Sequence, residues 1–365
     1  MNYIFNYIGQ VRAALWGGEV HWNAEQTDDL LRLNLVQGTG SLVFPSVLAQ
    51  DDIPAQAKMQ MKAVCMNTYQ NHVHLQHTLE QAWKALTKAG IRPVLMKGAG
   101  LAALYPEPTL RQWGDIDLFV GKDQYHPACA TMRETFPNAL KFDEELDHYK
   151  HYNLIADGVS IEVHRVTVAM THPLDVQRYA RMESYGMSKN EPLMLNGLEV
   201  QVPEPTFNAL FVFLHLWEHM LSSGANLRQL CDLTLLLHHY AQAIDRKRLK
   251  RWLQALHLND VWRVCMGILV EALGLPPQEA PGYSEPFADR SERLLTDLLQ
   301  GRVEAPKASK AAPKNRLLRK WHTMHERLAN AKRIERYSPA YARHMTAAIL
   351  LSGLGRLCAK DRHWE

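Results

Sequence analysis

Val94-Leu95-Met96-Lys97-Gly98, then a helix-like run from Ala99 to Tyr105, then Asp115-Ile116-Asp117-Leu118-Phe119-Val120, lay out two short strands joined by a turn and a small helix. The apolar run Val94-Leu95-Met96 reads as a buried strand that stops at Lys97-Gly98, and Pro106-Glu107-Pro108 ends the helix. In a strand, side chains two apart point to the same side. Asp115 and Asp117 therefore aim two carboxylates at one point, while Ile116, Leu118 and Val120 pack the other face. Two converging hard oxygen donors suit Mg²⁺, which is held by one or two carboxylates together with waters and phosphate oxygens.

Downstream, Lys122 to Phe136 has helical periodicity, and two strand-like stretches, His148 to Ala156 and Val159 to Val166, meet at Asp157-Gly158. Asp-Gly between alternating runs is a strong hairpin signal. Alternation puts Glu162 and His164 on one face of the second strand and Ile161 and Val163 on the other. Residues 167–185 read as helix and loop, and Gly197 to Val202 as a further strand.

Both flanks are helical. Residues 1–90 show apolar spacings of three and four through Leu30-Leu31-Arg32-Leu33 and from Asn67 to Ala89, where Ala89-Gly90 is a stop. Phe207 to Leu221, Leu227 to His239, Arg246 to Leu256 and Val261 to Leu273 form an expected helical bundle. Residues 274–290 and 304–315 have linker composition, and Asn315 to Ala331 and Ala340 to Leu351 read as closing helices. The expected organisation is an N-terminal helical segment (1–66), an α+β core with a short mixed sheet (67–203), a helical bundle (204–274) and a basic helical extension (275–365). No internal repeat is evident.

At 365 residues the chain exceeds the size at which one hydrophobic core keeps growing. Its 47% apolar and 22% charged content excludes wholesale disorder. No long uncharged apolar run and no leader-like N-terminus appear, so a cytoplasmic location is expected. Five scattered cysteines, Cys65, Cys129, Cys231, Cys265 and Cys358, fit reduced thiols. The net charge of +3 is uneven, because residues 302–346 carry only Glu304, Glu326 and Glu335 as acids. Such a region suits an anionic partner or a plain solvated face.

Taken together, Leu95-Met96-Lys97-Gly98, Leu101, Leu104-Tyr105-Pro106, Arg111, Asp115-Ile116-Asp117-Leu118-Phe119-Val120 and Ile161-Glu162-Val163-His164 resemble the family of uncharacterised bacterial nucleotidyltransferases. That family lies within the polymerase-beta-like nucleotidyltransferase superfamily. The similarity covers about residues 70–240, including Leu214-His215 and Arg228 through Asp232. It implies that Asp115, Asp117 and Glu162 hold two Mg²⁺ ions against a nucleoside triphosphate, whose nucleotidyl group passes to a hydroxyl of an acceptor. Gly98 then allows the backbone close to phosphate, and Lys97 supplies a point charge. Arg111 either clamps a phosphate or pairs with Asp115. His164 is a partner of the metal ligands, a base contact or a core histidine, and His215, His219 and Arg228 face the acceptor or base. Two departures stand out: the wider superfamily often has Gly-Ser where Lys97-Gly98 stands, and Asp where Glu162 stands.

Two other readings use the same residues. His215-Leu216-Trp217-Glu218-His219 matches the His-x-x-Glu-His signature of a zinc metallohydrolase. A non-catalytic module that binds a nucleotide or protein on the same fold is the second. Among acceptors, a small molecule or sugar is favoured over protein or RNA, since no stretch interleaves basic and aromatic residues for stacking. Oligomeric state and base preference are not written in the sequence.

Overall fold

The computed structural model describes residues 2–142, 146, 148–170, 172–221, 224–285, 288–301, 324–325, 328–329 and 331–358. Four helices lead: α1 (Asn2–Trp16), α2 (Thr27–Val36), α3 (Gly40–Val47) and α4 (Ala55–Lys88). At 34 residues, α4 is about 50 Å long at 1.5 Å per residue, and its two halves serve different cores. Ala57 and Met61 belong to one, and Leu75, Leu79, Ala82, Trp83 and Leu86 to the other. The stop expected at Ala89-Gly90 is a Schellman closure, in which Ile91 N–H donates to Leu86 and Gly90 N–H to Thr87.

The strands are β1 (Val94–Met96), β2 (Asp115–Phe119), β3 (Leu140–Lys141), β4 (His151–Ala156) and β5 (Val159–His164), in spatial order β1-β2-β5-β4-β3. Between β1 and β2 lies α5 (Gly98–Ala102), which ends short of the expected Tyr105, and between β2 and β3 lies α6 (Gly121–Thr135). All neighbouring strands are antiparallel except β2 and β5, which run parallel with Asp117 beside Glu162. The sheet is therefore short and mixed, as expected. At the β4–β5 turn, Asp157 (φ 48°) and Gly158 (φ 82°) both adopt left-handed backbone, the geometry of a two-residue type I′ turn. Counting outward from it sets His151 against His164 and Asn153 against Glu162.

A second hairpin, β6 (Glu191–Leu195) and β7 (Leu198–Val202), turns on Asn196-Gly197, again with positive φ at both residues (47° and 88°). Its first strand was not expected from the sequence. Pro192 argues against a strand, but in a two-stranded ribbon it sits on an edge and needs no ladder donor. Helix α7 (Pro173–Ser188) precedes the hairpin, and α8 (Pro205–Leu221), α9 (Leu227–His239), α10 (Arg246–Ala255), α11 (Asn259–Glu271) and α12 (Ala288–Leu299) follow it. A further helix spans Pro339–Cys358, longer than the expected Ala340–Leu351. The linker expected over 304–315 lies outside the described residues, as does most of the helix expected over 315–331.

Two hydrophobic cores result, and they do not follow the order of the chain. One face of the sheet, with Leu95, Ile116, Leu118, Ile161 and Val163, packs against the C-terminal half of α4 and against Tyr125, Cys129 and Met132 of α6. The other core gathers the N-terminal helices with α8 through α12, so residues far apart in sequence, such as Tyr7, Phe44, Phe213 and Trp262, share one interior. Val94, Met96 and Tyr105 join that second core, which fixes the polar face of the sheet opposite the bundle. Cys65, Cys129, Cys231 and Cys265 are free thiols. Among the described residues, no helix is long and apolar enough to cross a membrane.

One buried charge pair pins bundle to core. Arg111 donates from Nε to Asp232 Oδ1 at 2.7 Å and from Nη2 to Oδ2 at 2.8 Å, across 121 residues of sequence. Tyr105 donates its hydroxyl to the same Oδ1 at 2.7 Å. Burial pushes Asp232 toward protonation, but the Arg111 guanidinium outweighs it and holds the carboxyl below its ordinary value. Replacing Asp232 by Ala leaves Arg111 buried and unpaired, at an expected cost of about 3–5 kcal/mol. Urea unfolding should show a lower midpoint with an unchanged slope. Because the folded-state pKa is depressed, the pair's stabilisation is present above roughly pH 4 and lost as pH falls below it. The acid limb of the stability profile should flatten in Asp232→Asn.

Candidate functional site

The polar face of the sheet assembles from side chains two apart on adjoining strands: Asp115 and Asp117 from β2, Glu162 and His164 from β5. Asp117 is wholly buried, at 0% exposure. The His164 Nε2 atom lies 2.9 Å from Asp117 Oδ1 and 3.0 Å from Glu162 Oε2. One imidazole nitrogen thus joins the two segments, and the carboxylates from β2 and β5 sit within two hydrogen-bond lengths of each other. Both partners are acceptors, so this nitrogen carries the proton.

Lys97 closes the site from the opposite side. Its Nζ is 3.0 Å from Asp117 Oδ2, and it also feels the charges of Asp115 and Glu162. To point there, Lys97 adopts φ 50° and ψ −134°, a left-handed backbone that costs a non-glycine residue on the order of 1–3 kcal/mol. Gly98 follows at φ 39°, and a Cβ there would meet the Trp113 ring at 3.1 Å and the Asp115 carbonyl oxygen at 3.3 Å. Conformation and space both favour glycine at 98. Trp113 is itself fixed by an indole N–H donated to His72 Nδ1 at 3.0 Å.

The charges settle as follows. Burial favours a neutral Asp117, but Lys97 and the His164 hydrogen bond outweigh it and hold the carboxyl far below the usual range. Burial likewise opposes a charged His164, yet its hydrogen bonds to Asp117 and Glu162 raise its pKa. Asp115 is pushed up, first by the like charge of Asp117 and then by burial. Three carboxylates in one corner repel, and Lys97 with Arg111 only partly relieves Asp115. An oxygen-rich, crowded donor set of this kind fits a divalent cation.

In front of these residues opens a cavity of about 350 Å³ between sheet and bundle. Lys97, Gly98, Arg111, Trp113 and Asp115 line the core side, and His215, His219, Asn226 and Arg228 the bundle side. His215 is kept neutral, first by burial and then by Lys97 and His219.

Arg111 differs from both roles expected for it. Its guanidinium is spent on Asp232 and on the Gly98 carbonyl, to which Nη1 donates at 3.1 Å, so it holds the Lys97–Gly98 turn in place instead of pairing with Asp115. Lys97, expected to face phosphate, meets Asp117 first. Arg228 lies 3.5 Å from Asp232 and still lines the cavity. His215 and His219 stack edge to face at 4.5 Å, while Glu218 lies 3.7 Å from Lys150. Among the described residues, the group of three potential metal ligands that converges is not this helix pair but His151, Glu162 and His164.

In the sequence reading Asp232 marks only the end of the match from Arg228 through Asp232, without a role, and His151 is not singled out. Nothing local shows that Asp232 is the partner of Arg111, since it appears as one acid in a largely apolar helix. His151 was readable, since the two-residue turn at Asp157-Gly158 fixes it opposite His164.

An α+β fold with a short mixed sheet, an aspartate pair of which Asp117 is buried and Asp115 lines a cavity, and a third carboxylate on the neighbouring strand describe a nucleotidyltransferase-like protein. The chain belongs to the family described as uncharacterised nucleotidyltransferase, which matches residues 23–274. Among solved structures, an antigenic nucleotidyltransferase-like protein from Paracoccidioides brasiliensis is 17% identical, covering 53% of this chain and 90% of that one, with a TM-score of 0.32. No curated protein matches the chain.

Substituting Gly98 by Ala should cost roughly 1–3 kcal/mol, because the added methyl must displace Trp113 or the β2 backbone. Thermal unfolding measures the loss, and a fall in Trp113 burial by fluorescence should accompany it.

Proposed function

We propose that the protein transfers a nucleoside monophosphate from a nucleoside triphosphate to a hydroxyl group of a small acceptor. The acceptor oxygen attacks the α-phosphorus and gives up its hydroxyl proton to solvent, the bond from that phosphorus to the bridging oxygen breaks, and pyrophosphate leaves with its electron pair. The observation that carries this reading is the convergence of Asp117 and Glu162, from separate segments, on one imidazole nitrogen, with Asp115 on the same strand face.

Asp115, Asp117 and Glu162 would hold Mg²⁺, two ions by the family resemblance. Bound there, the cation neutralises phosphoryl charge and lowers the pKa of the acceptor hydroxyl. The chain's own residues do the rest. Lys97 releases Asp117 and turns its ammonium to the triphosphate, a short movement for a flexible four-carbon stem that is 13% exposed. Gly98 lets the turn come close to phosphate oxygens, and the Arg111–Asp232 pair fixes that turn against the bundle. Neutral His215 and His219 face the cavity as hydrogen-bonding partners for the acceptor or base.

A cavity of about 350 Å³ is at the small-molecule scale and supports an alcohol or sugar acceptor over a folded RNA. Residue placement gives the zinc-hydrolase reading less support, since Glu218 is directed to Lys150.

Incubation with each α-labelled nucleoside triphosphate, Mg²⁺ and a cell extract should yield labelled product, and Asp117→Asn should cut the yield at least about 100-fold. The same variant should lose the thermal stabilisation that Mg²⁺ with triphosphate gives the wild type. Stabilisation without transfer would assign the chain to the non-catalytic binding module instead.

A further inference from the structure

The hairpin β4–β5 carries a second constellation beside the aspartate pair. His151 stands directly across from His164 on the polar face, and Glu162 lies diagonally between them. One ligand atom from each lies within 4.8 Å of the other two. His164 Nε2 is 3.0 Å from Glu162 Oε2, and His151 Nδ1 is 3.8 Å from the same oxygen. Donors around a single ion with bonds near 2.1 Å sit roughly 3.0–3.5 Å apart, so side-chain adjustments of about 1 Å would close the three onto one ion.

His151 Nδ1 is buried and, among the described residues, has no hydrogen-bond partner. A buried polar atom without a partner is uncommon and calls for an explanation such as an ion. It faces Glu162 with no proton-sharing contact, as a lone pair waiting for a cation would. His164 is prepared from its far side, where Nδ1 lies 3.4 Å from the Val166 carbonyl oxygen. In the metal-free chain Nε2 carries the proton it shares with Asp117 and Glu162. An arriving cation would displace that proton, while the Nδ1 proton donated to the Val166 carbonyl would keep the ring oriented, the arrangement by which metal-bound imidazoles are held.

We propose that His151, Glu162 and His164 form a binding site for a borderline divalent metal of the Zn²⁺ or Co²⁺ class, loaded without nucleotide. Two imidazoles and one carboxylate favour such ions over Mg²⁺, which prefers all-oxygen surroundings. The site stands on these three side chains alone. Its link to catalysis, that one of the two cations at the carboxylates is a transition metal sharing Glu162 with Mg²⁺, rests on the transfer reaction proposed above.

The test is a titration of the metal-free full chain with Co²⁺ in the absence of nucleotide, followed by its visible d–d absorption. One Co²⁺ per chain with a histidine-type spectrum is expected, displaced by Zn²⁺ and not by millimolar Mg²⁺. His151→Phe should weaken Co²⁺ binding more than 10-fold, whereas Asp115→Asn should keep the Co²⁺ spectrum while losing nucleotidyl transfer. Pulsed EPR of wild-type protein loaded with Co²⁺ should show nitrogen couplings from two imidazoles, a readout that needs no variant to fold. Absence of Co²⁺ binding, unchanged affinity in His151→Phe, displacement by Mg²⁺ or a spectrum without imidazole nitrogen would each overturn the site. Failure of the transfer assay with the Co²⁺ spectrum intact would overturn the nucleotidyl-transfer proposal and leave the metal site standing.

Discussion

A carboxylate with no contact to water must either give up its charge or be surrounded by compensating groups, and Asp117 takes the second course. Its two oxygens are divided between Lys97 and His164, drawn from different elements. Holding Lys97 there requires the left-handed backbone at positions 97 and 98, which in turn favours glycine at 98 beside the Trp113 ring. Holding His164 there requires β5 to lie parallel to β2 in the register that sets Asp117 beside Glu162. The turn, the strand order and the position of the indole follow from the same electrostatic demand.

The cavity before these groups has the Arg111–Asp232 pair on its floor. A bidentate guanidinium contact is directional, so it fixes angle as well as distance between α9 and the loop ahead of β2. The third contact of Arg111, to the Gly98 carbonyl, ties the strained turn to that joint. Position of the bundle and shape of the turn are in this way coupled through one side chain. The compensation at Asp117 is incomplete for Asp115, whose carboxyl is raised first by the neighbouring Asp117 charge and then by burial.

Much of this was legible from local patterns. Alternation placed Asp115 with Asp117 and Glu162 with His164, the Asp-Gly pair located the β4–β5 hairpin, and spacing of three and four located α8 through α11 within a few residues. The β6–β7 hairpin carried an Asn-Gly signal of the same strength, but Pro192 masked the first strand, since its edge position is a tertiary fact. The partner of Arg111 was out of reach for a different reason. Any acid in the chain can satisfy a guanidinium, and pairing over 121 residues leaves no periodic trace.

The sequence by itself determined which side chains share a strand face, where turns with positive φ fall and which helices bury an apolar stripe, because these depend on backbone periodicity and steric limits over a few residues. Tertiary structure alone decided that β5 lies beside β2, that N-terminal helices join the C-terminal bundle in one core, and that Lys97 faces Asp117 before any phosphate. Those outcomes depend on burying apolar surface and neutralising charge between distant segments, and such energies are defined only once the chain has closed on itself.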